Sequence, residues 1–218
     1  MHLPQLQRLP LILLMTLSLA ACQSAYYSAM EKVGIHKRDI MVDRVEEARD
    51  AQEDAKEEFK SALDQFQQMF GKPDTDLQEQ YDRLNAAYED SEDAADEVTK
   101  RIDSVEDVSA ALFEEWEEEL KLYTSQTLKN DSAAKLRATK RQYNGLISSM
   151  RAAEKRMQPV LNILRDQVLY LKHNLNARAI DGLKGELKSI ESNVARLIKD
   201  MEKSIAESEA FIAELQQG

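Results

Sequence analysis

Few residues of this 218-residue chain have types and spacings that could do chemistry, and they lie far apart. Cys22 is the only cysteine, so no disulfide can form within the chain. As a nucleophile its thiol would need a base beside it, and the histidines are only His2, His36 and His173. Neither of the last two follows a glutamate by three residues, the spacing a di-iron centre uses inside a four-helix bundle. There is no Gly-x-Ser-x-Gly elbow and no glycine-rich loop to cradle a phosphate. Glu89-Asp90-Ser91-Glu92-Asp93 is acidic but lacks the glycine and the bidentate glutamate spacing of a calcium loop. Like Glu114 to Glu119, it reads as a solvated helix face that attracts cations weakly. His173 reads as a half-buried polar residue beside an apolar seam, and His36-Lys37-Arg38 as a basic stretch facing solvent or lipid phosphates. The expectation is no catalytic residue, no metal ligand and no cofactor, hence no enzyme.

Cys22 has a different use. Arg8 precedes an apolar run of eleven, Leu9 to Leu19, which ends on Ala20-Ala21-Cys22. That is the three-part pattern of a signal peptide over residues 1–21, and the run is shorter than the roughly 20 apolar residues a membrane span needs. Leu19-Ala20-Ala21-Cys22 resembles the lipobox of bacterial lipoproteins. The resemblance implies cleavage before Cys22, a diacylglycerol on its thiol and a further acyl chain, such as palmitate, on its amine. Several acyl chains anchor durably where one is marginal. Gln23 rather than aspartate after the cysteine implies, by the same resemblance, the outer membrane of a Gram-negative bacterium, facing the periplasm. Residues 22–37 read as a lipidated, membrane-proximal linker in which Tyr26 and Tyr27 rest at the headgroups or in solvent.

The stretch from Tyr26-Tyr27-Ser28-Ala29-Met30 through Ile40, with Val42-Asp43-Arg44-Val45, resembles the start of a family of proteobacterial lipoproteins, domain of unknown function 2959. Val168-Leu169-Tyr170-Leu171-Lys172-His173-Asn174-Leu175-Asn176 is similar to the same family further along. The resemblance implies an all-helical periplasmic lipoprotein, and no activity, cofactor or partner.

Six glycines and four prolines in the whole chain leave little to punctuate turns, and Ala, Leu, Glu, Lys, Asp and Gln dominate. From Met41 the apolar and small residues fall at alternating steps of four and three: Val45, Ala48, Ala55, Phe59, Ala62, Phe66 and Met69, with Gln52 filling one slot. That is a heptad seam. The pattern predicts four helices over 38–70, 75–129, 132–175 and 178–216, making an elongated antiparallel four-helix bundle or coiled coil over 38–217. Thr75 and Gln78 could form a capping box, Asn130-Asp131-Ser132 the second turn, and Pro159 a kink within the third helix. Extra steps of four at Trp116–Leu120 and at Met201–Ile205 read as stutters. The unequal lengths leave Phe113 and Trp116 to be covered by the third helix, the fourth helix or another chain.

The formal charge is −11, and near −12 from Cys22 onward. Such a chain repels polyanions, so nucleic acid is not an expected partner. Residues 74–119 hold eighteen acids and three bases, net −15, whereas 132–176 hold nine bases and two acids, net +7. Opposite signs pair the second helix with the third and disfavour pairing the acidic first and second helices. Folding about Asn130-Asp131 predicts Lys140 and Arg141 near Glu118 and Glu119, Arg151, Lys155 and Arg156 near Asp103, Glu106 and Asp107, and Arg165 near Asp96. The expected function is a non-catalytic, lipid-anchored structural or interaction protein of the envelope. Its partners would be the membrane through the anchor and another envelope protein, or a second copy of the chain. The alternative is a periplasmic binding module for an apolar ligand or client peptide, motivated by the polar seam residues Gln52, Ser91, Ser109, Lys140 and Glu154.

Overall fold

A computed structural model describes residues 26–27, 29–71, 76–174 and 182–217. Cys22 and the rest of the expected signal peptide and anchor lie outside the described residues. Four long helices account for most of the chain: α1 (Lys37–Gly71), α2 (Leu77–Leu122), α3 (Gln126–His173) and α4 (Leu187–Gln217). No strand occurs among the described residues. Each helix packs against its neighbours in sequence, and α4 packs against α1, which closes an antiparallel ring of four. The fold is the expected all-α bundle.

The seam explains why the ring is dry. Every α1 position of the predicted stripe, from Met41 to Met69 and including Gln52, is buried. The stripes of the other three helices supply Leu84, Val98, Ile102 and Val105, then Met150, Met157, Leu161 and Leu164, then Ile190, Val194, Leu197 and Met201. The most extensive packing is between α1 and α2, contrary to the expectation that their like charges would keep them apart. Small residues are the reason. Ala48, Ala51, Ala55 and Ala62 meet a face carrying Ala87, Ser91 and Ala95, so the backbones approach closely enough for the Ser91 hydroxyl to reach the Glu58 carbonyl oxygen at 3.4 Å. Arg101 and Glu47 then bridge the two acidic helices at 2.7 Å.

Several boundaries differ from the sequence reading. Asp76, not Thr75, caps α2 by accepting from the Gln78 backbone N–H at 2.9 Å, and Thr75 lies outside the described residues. The bend between α2 and α3 falls at residues 123–125, where Ser125 caps α3, and Asn130-Asp131-Ser132 belong to the helix. Asn130 is accommodated there because its side chain accepts from Gln126 one turn earlier, at 2.9 Å. α3 runs unbroken through Pro159. α4 begins at Leu187, after helical residues 182–183 and a turn at 184–186, and the expected start near 178 lies outside the described residues. Its seam has no stutter: Ser204 is fully buried after Met201 and Ile205 only partly, so the small hydroxyl takes the central position.

The polar seam residues are mostly partnered. Ser91 also donates to the Ala87 carbonyl, Ser109 to that of Glu106, and Glu154 accepts two hydrogen bonds from Arg151 at 3.0 Å. Gln52 is the exception: it is fully buried, with neither amide atom hydrogen-bonded. A buried amide without partners costs its desolvation outright. Gln52→Leu, of similar volume, should therefore raise the urea unfolding midpoint, by about 1–3 kcal/mol of stability. A lowered midpoint would mean that the amide is satisfied in solution.

Candidate functional site

The helices are unequal, and the excess gathers at one end. α1 has 35 residues and α4 31, against 46 in α2 and 48 in α3, or about 50 Å against 70 Å at 1.5 Å per residue. Lys37, the first residue of α1, meets Glu115 of α2, and Arg38 reaches the Leu215 backbone near the end of α4. Beyond that level α2 and α3 continue alone as a two-helix arm. Phe113 and Trp116, the residues whose cover was in question, lie at its base. α3 covers them: the Phe113 ring meets Tyr143 edge to face at 5.4 Å, Lys140 sits 5.3 Å from its centroid, and the Trp116 indole N–H donates to Ser132 at 2.8 Å.

Where α1 and α4 stop, a cleft of about 460 Å³ opens against the arm, lined by Arg38, Leu112, Glu115, Trp116, Lys135 and Leu215 among others. Its floor is apolar, and Trp116 is half-buried in its wall. Two cations at its rim are committed. Arg38 donates to the Leu215 carbonyl and so places a cation at the C-terminal end of α4. Lys37 holds both Glu115, at 3.0 Å, and Glu31.

Glu31 belongs to a segment that the sequence reading treated as linker. Residues 26–27 and 29–32 are helical, and a glycine ends the turn. Gly34 has φ +86, its N–H donates to Glu31 and that of Ile35 to Met30, the pattern of a left-handed helix C-cap. The segment folds back on the bundle rather than trailing from it. Tyr27 is buried, with Asp107 and Arg44 nearby, and its phenol pKa is raised by that burial. Tyr26 is 43% exposed and meets Tyr27 edge to face.

The two carboxylates around Lys37 are split by their surroundings. Burial raises the Glu115 pKa, whereas the Lys37 hydrogen bond lowers that of Glu31. Burial alone would lower Lys37, but the hydrogen bonds it donates to both carboxylates outweigh that and raise it. What the cleft can do chemically is enclose a small apolar or amphipathic group against an indole. Titration followed by carboxyl carbon NMR should find Glu115 protonating first as pH falls and Glu31 below the usual carboxylate range. Glu31's contribution to stability is present above its unfolded pKa and lost as pH falls through its depressed value, while protonation of Glu115 acts in the opposite sense. Coincident midpoints would contradict this geometry.

The other sequence candidates do not converge on the cleft. His36 is exposed, its backbone N–H donating to Asp39 at 3.3 Å, and His173 is exposed rather than half-buried because it ends α3. Among the described residues no three His, Cys, Asp or Glu side chains gather as metal ligands would. Glu89, Asp90, Glu92 and Asp93 are solvated, and only Ser91 of that cluster turns inward. The basic stripe of α3 is divided. Arg151 joins Asp103, Glu106 and Glu154, which raise its pKa further, led by the Glu106 hydrogen bond. Lys140 reaches Glu117, one residue from the expected Glu118. Arg156 turns to Asp200 on α4 instead of to α2, because α3 has an acidic neighbour on that side too. Arg165 is close enough to Tyr88 to lower its phenol, against the larger upward effect of burial.

The fold and this site define a class: an elongated antiparallel helical bundle with a charged collar and an open cleft at one end. The chain belongs to a family described as protein of unknown function (DUF2959), whose model matches residues 26–215. That match begins at the tyrosines packed beside α1 and covers all but the last two residues of the bundle. No curated protein is similar enough to the chain to count as a relative.

Proposed function

We propose that this protein is a non-catalytic, lipid-anchored structural or interaction protein of the bacterial envelope, held by acyl chains on Cys22 at the periplasmic face of the outer membrane. One observation carries the reading: Leu19-Ala20-Ala21-Cys22 closes an apolar run just four residues before Tyr26, the first of the described residues. No helix among the described residues is long and apolar enough to cross a membrane. The mechanism is tethering, which raises the local concentration of an extended acidic surface near the bilayer. Metabolic labelling with a palmitate analogue should mark the protein and place it in the outer-membrane fraction. Cys22→Ser should abolish the label. A protein recovered unacylated from the soluble periplasm would refute the anchor.

A second reading, a binding module for an apolar ligand or client peptide, is favoured by the cleft beside Trp116. The indole is the only one in the chain and reports the site directly. An apolar fluorescent probe that occupies the cleft should quench or shift Trp116 emission saturably, and Leu112→Arg should remove the response. Unchanged emission across the titration would rule this reading out.

A further inference from the structure

We propose that the tip of the α2–α3 arm is a second membrane contact, seated in the headgroup layer of the phospholipid bilayer that holds the anchor. This rests on the lipid-anchored reading above and adds to it a protein surface that touches lipid. Three large apolar side chains crowd the bend and are open to solvent: Leu122 is 80% exposed, Tyr123 41% and Leu128 57%. Val33, in the turn leading to α1 at the same end, is 72% exposed. Residues 120–130 contain Lys121 and Lys129 and no acid, in a chain whose net charge is −11. Leucine, tyrosine and lysine around a polar bend are the composition that settles at a bilayer interface.

The position of the anchor selects lipid as the occupant. Tyr26 is four residues after Cys22, a span of at most about 14 Å. Tyr27 lies beside Arg44 and Asp107. Asp107 is eight residues, about 12 Å, from the Glu115 level, so a four-residue connection can carry Cys22 no further toward the tip than about the level of Glu115. Leu122 is a further seven residues, about 10 Å, along α2. Apolar faces of interfacial helices sink about 5–10 Å into the headgroup and acyl boundary, which matches that offset. The acidic collar behind the tip does not oppose this strongly. Glu117 is paired with Lys140 and Glu118 with Lys121, so each meets the headgroup layer with its charge offset by a lysine.

The test uses the full acylated protein in vesicles of phosphatidylethanolamine and phosphatidylglycerol. An environment-sensitive thiol probe is attached through Leu122→Cys, Leu128→Cys or, at the far end of the bundle, Leu169→Cys, a site 48% exposed. Acylated Cys22 leaves no thiol of its own to label. Probes at 122 and 128 should shift to the blue and lose iodide quenching about threefold or more relative to 169. Equal, water-like emission at all three positions overturns the proposal. So does a blue shift that appears without vesicles and grows with protein concentration, which would assign the tip to a second copy of the chain. Mass spectrometry of the same samples reads acylation separately. Acylated protein with unshifted probes removes the tip contact and keeps the anchor. Unacylated protein whose probes shift when vesicles are added removes the anchor and keeps the tip.

Discussion

Each helix of this protein carries one narrow apolar stripe, and such a stripe is dry only when neighbouring helices close over it. Leu, Ile, Val, Met and Ala at alternating steps of three and four give a seam too thin for a globular core. The closed ring of four follows from that constraint. α1 has the most alanine in its stripe, so it comes closest to its neighbour, while Phe59 and Phe66, both fully buried, fill the space that the alanines leave. A core made this way is one continuous column, and a polar residue in it has no solvent to fall back on. Serine can meet the demand because its hydroxyl can bond a carbonyl of its own helix, as Ser208 does to the Ser204 carbonyl at 2.9 Å, although the Ser204 hydroxyl itself is left without a partner. Glutamine is too long for that solution, and Gln52 is left with both amide atoms unpaired.

Unequal helix length is the second constraint, and the functional features descend from it. Four helices of one length would have ended flush, with their apolar stripes covered to the last turn. Here α1 and α4 stop near Lys37 and Leu215, and the α2–α3 hairpin continues with only two partners to share its seam. Leu112 and Trp116 become the wall of a cleft, and the bend carries leucines that no other element reaches. The segment before α1 partly compensates. By reversing at Gly34 it lays Tyr27 on the bundle and brings Glu31 to Lys37, so that the end of the column is fastened by a cation between two carboxylates.

Periodicity made the bundle legible, because a seam is a property of spacing and needs no knowledge of partners. Every α1 position it predicted is buried, with Ile40, Ala51 and Lys56 buried beside the stripe, and opposite charge predicted Arg151 against Asp103 and Glu106 although the fold-back point was several residues off. That tolerance is physical: a long charged side chain reaches acids on successive turns. The bend itself was not legible. Asn130-Asp131-Ser132 has stronger turn chemistry than Tyr123-Thr124-Ser125, but a difference of that kind is worth about 1 kcal/mol, and additional turns of α3 covering Trp116 outweigh it. The cleft was not legible either, since it depends on where four helices end relative to one another. The Gly34 reversal did leave a signal: Met30 and Ile35, both partly buried, flank a glycine at the positions of the hydrophobic contact in a left-handed C-cap.

The packing of α1 against α2 shows which energy wins when pattern and charge disagree. Both helices are acidic, and a count of charges alone would separate them. Those charges lie on solvated outer faces, where salt screens a pair beyond about 10 Å and exposed pairs contribute under about 1 kcal/mol. The alanine faces compete with a far larger quantity, because each methylene removed from water is worth about 0.8 kcal/mol and the stripe runs the length of the helix. A few bridges then suffice to settle the residual repulsion, with Arg101 on Glu47 in the middle and Lys37 on Glu115 at the end. Charge keeps its influence where burial is indifferent to register, along α2 and α3, whose bulkier seams would tolerate a slip. There the Arg151 cluster holds acids on both its own helix and its neighbour, and a slip of one heptad would carry the guanidinium about 10 Å from its α2 partners.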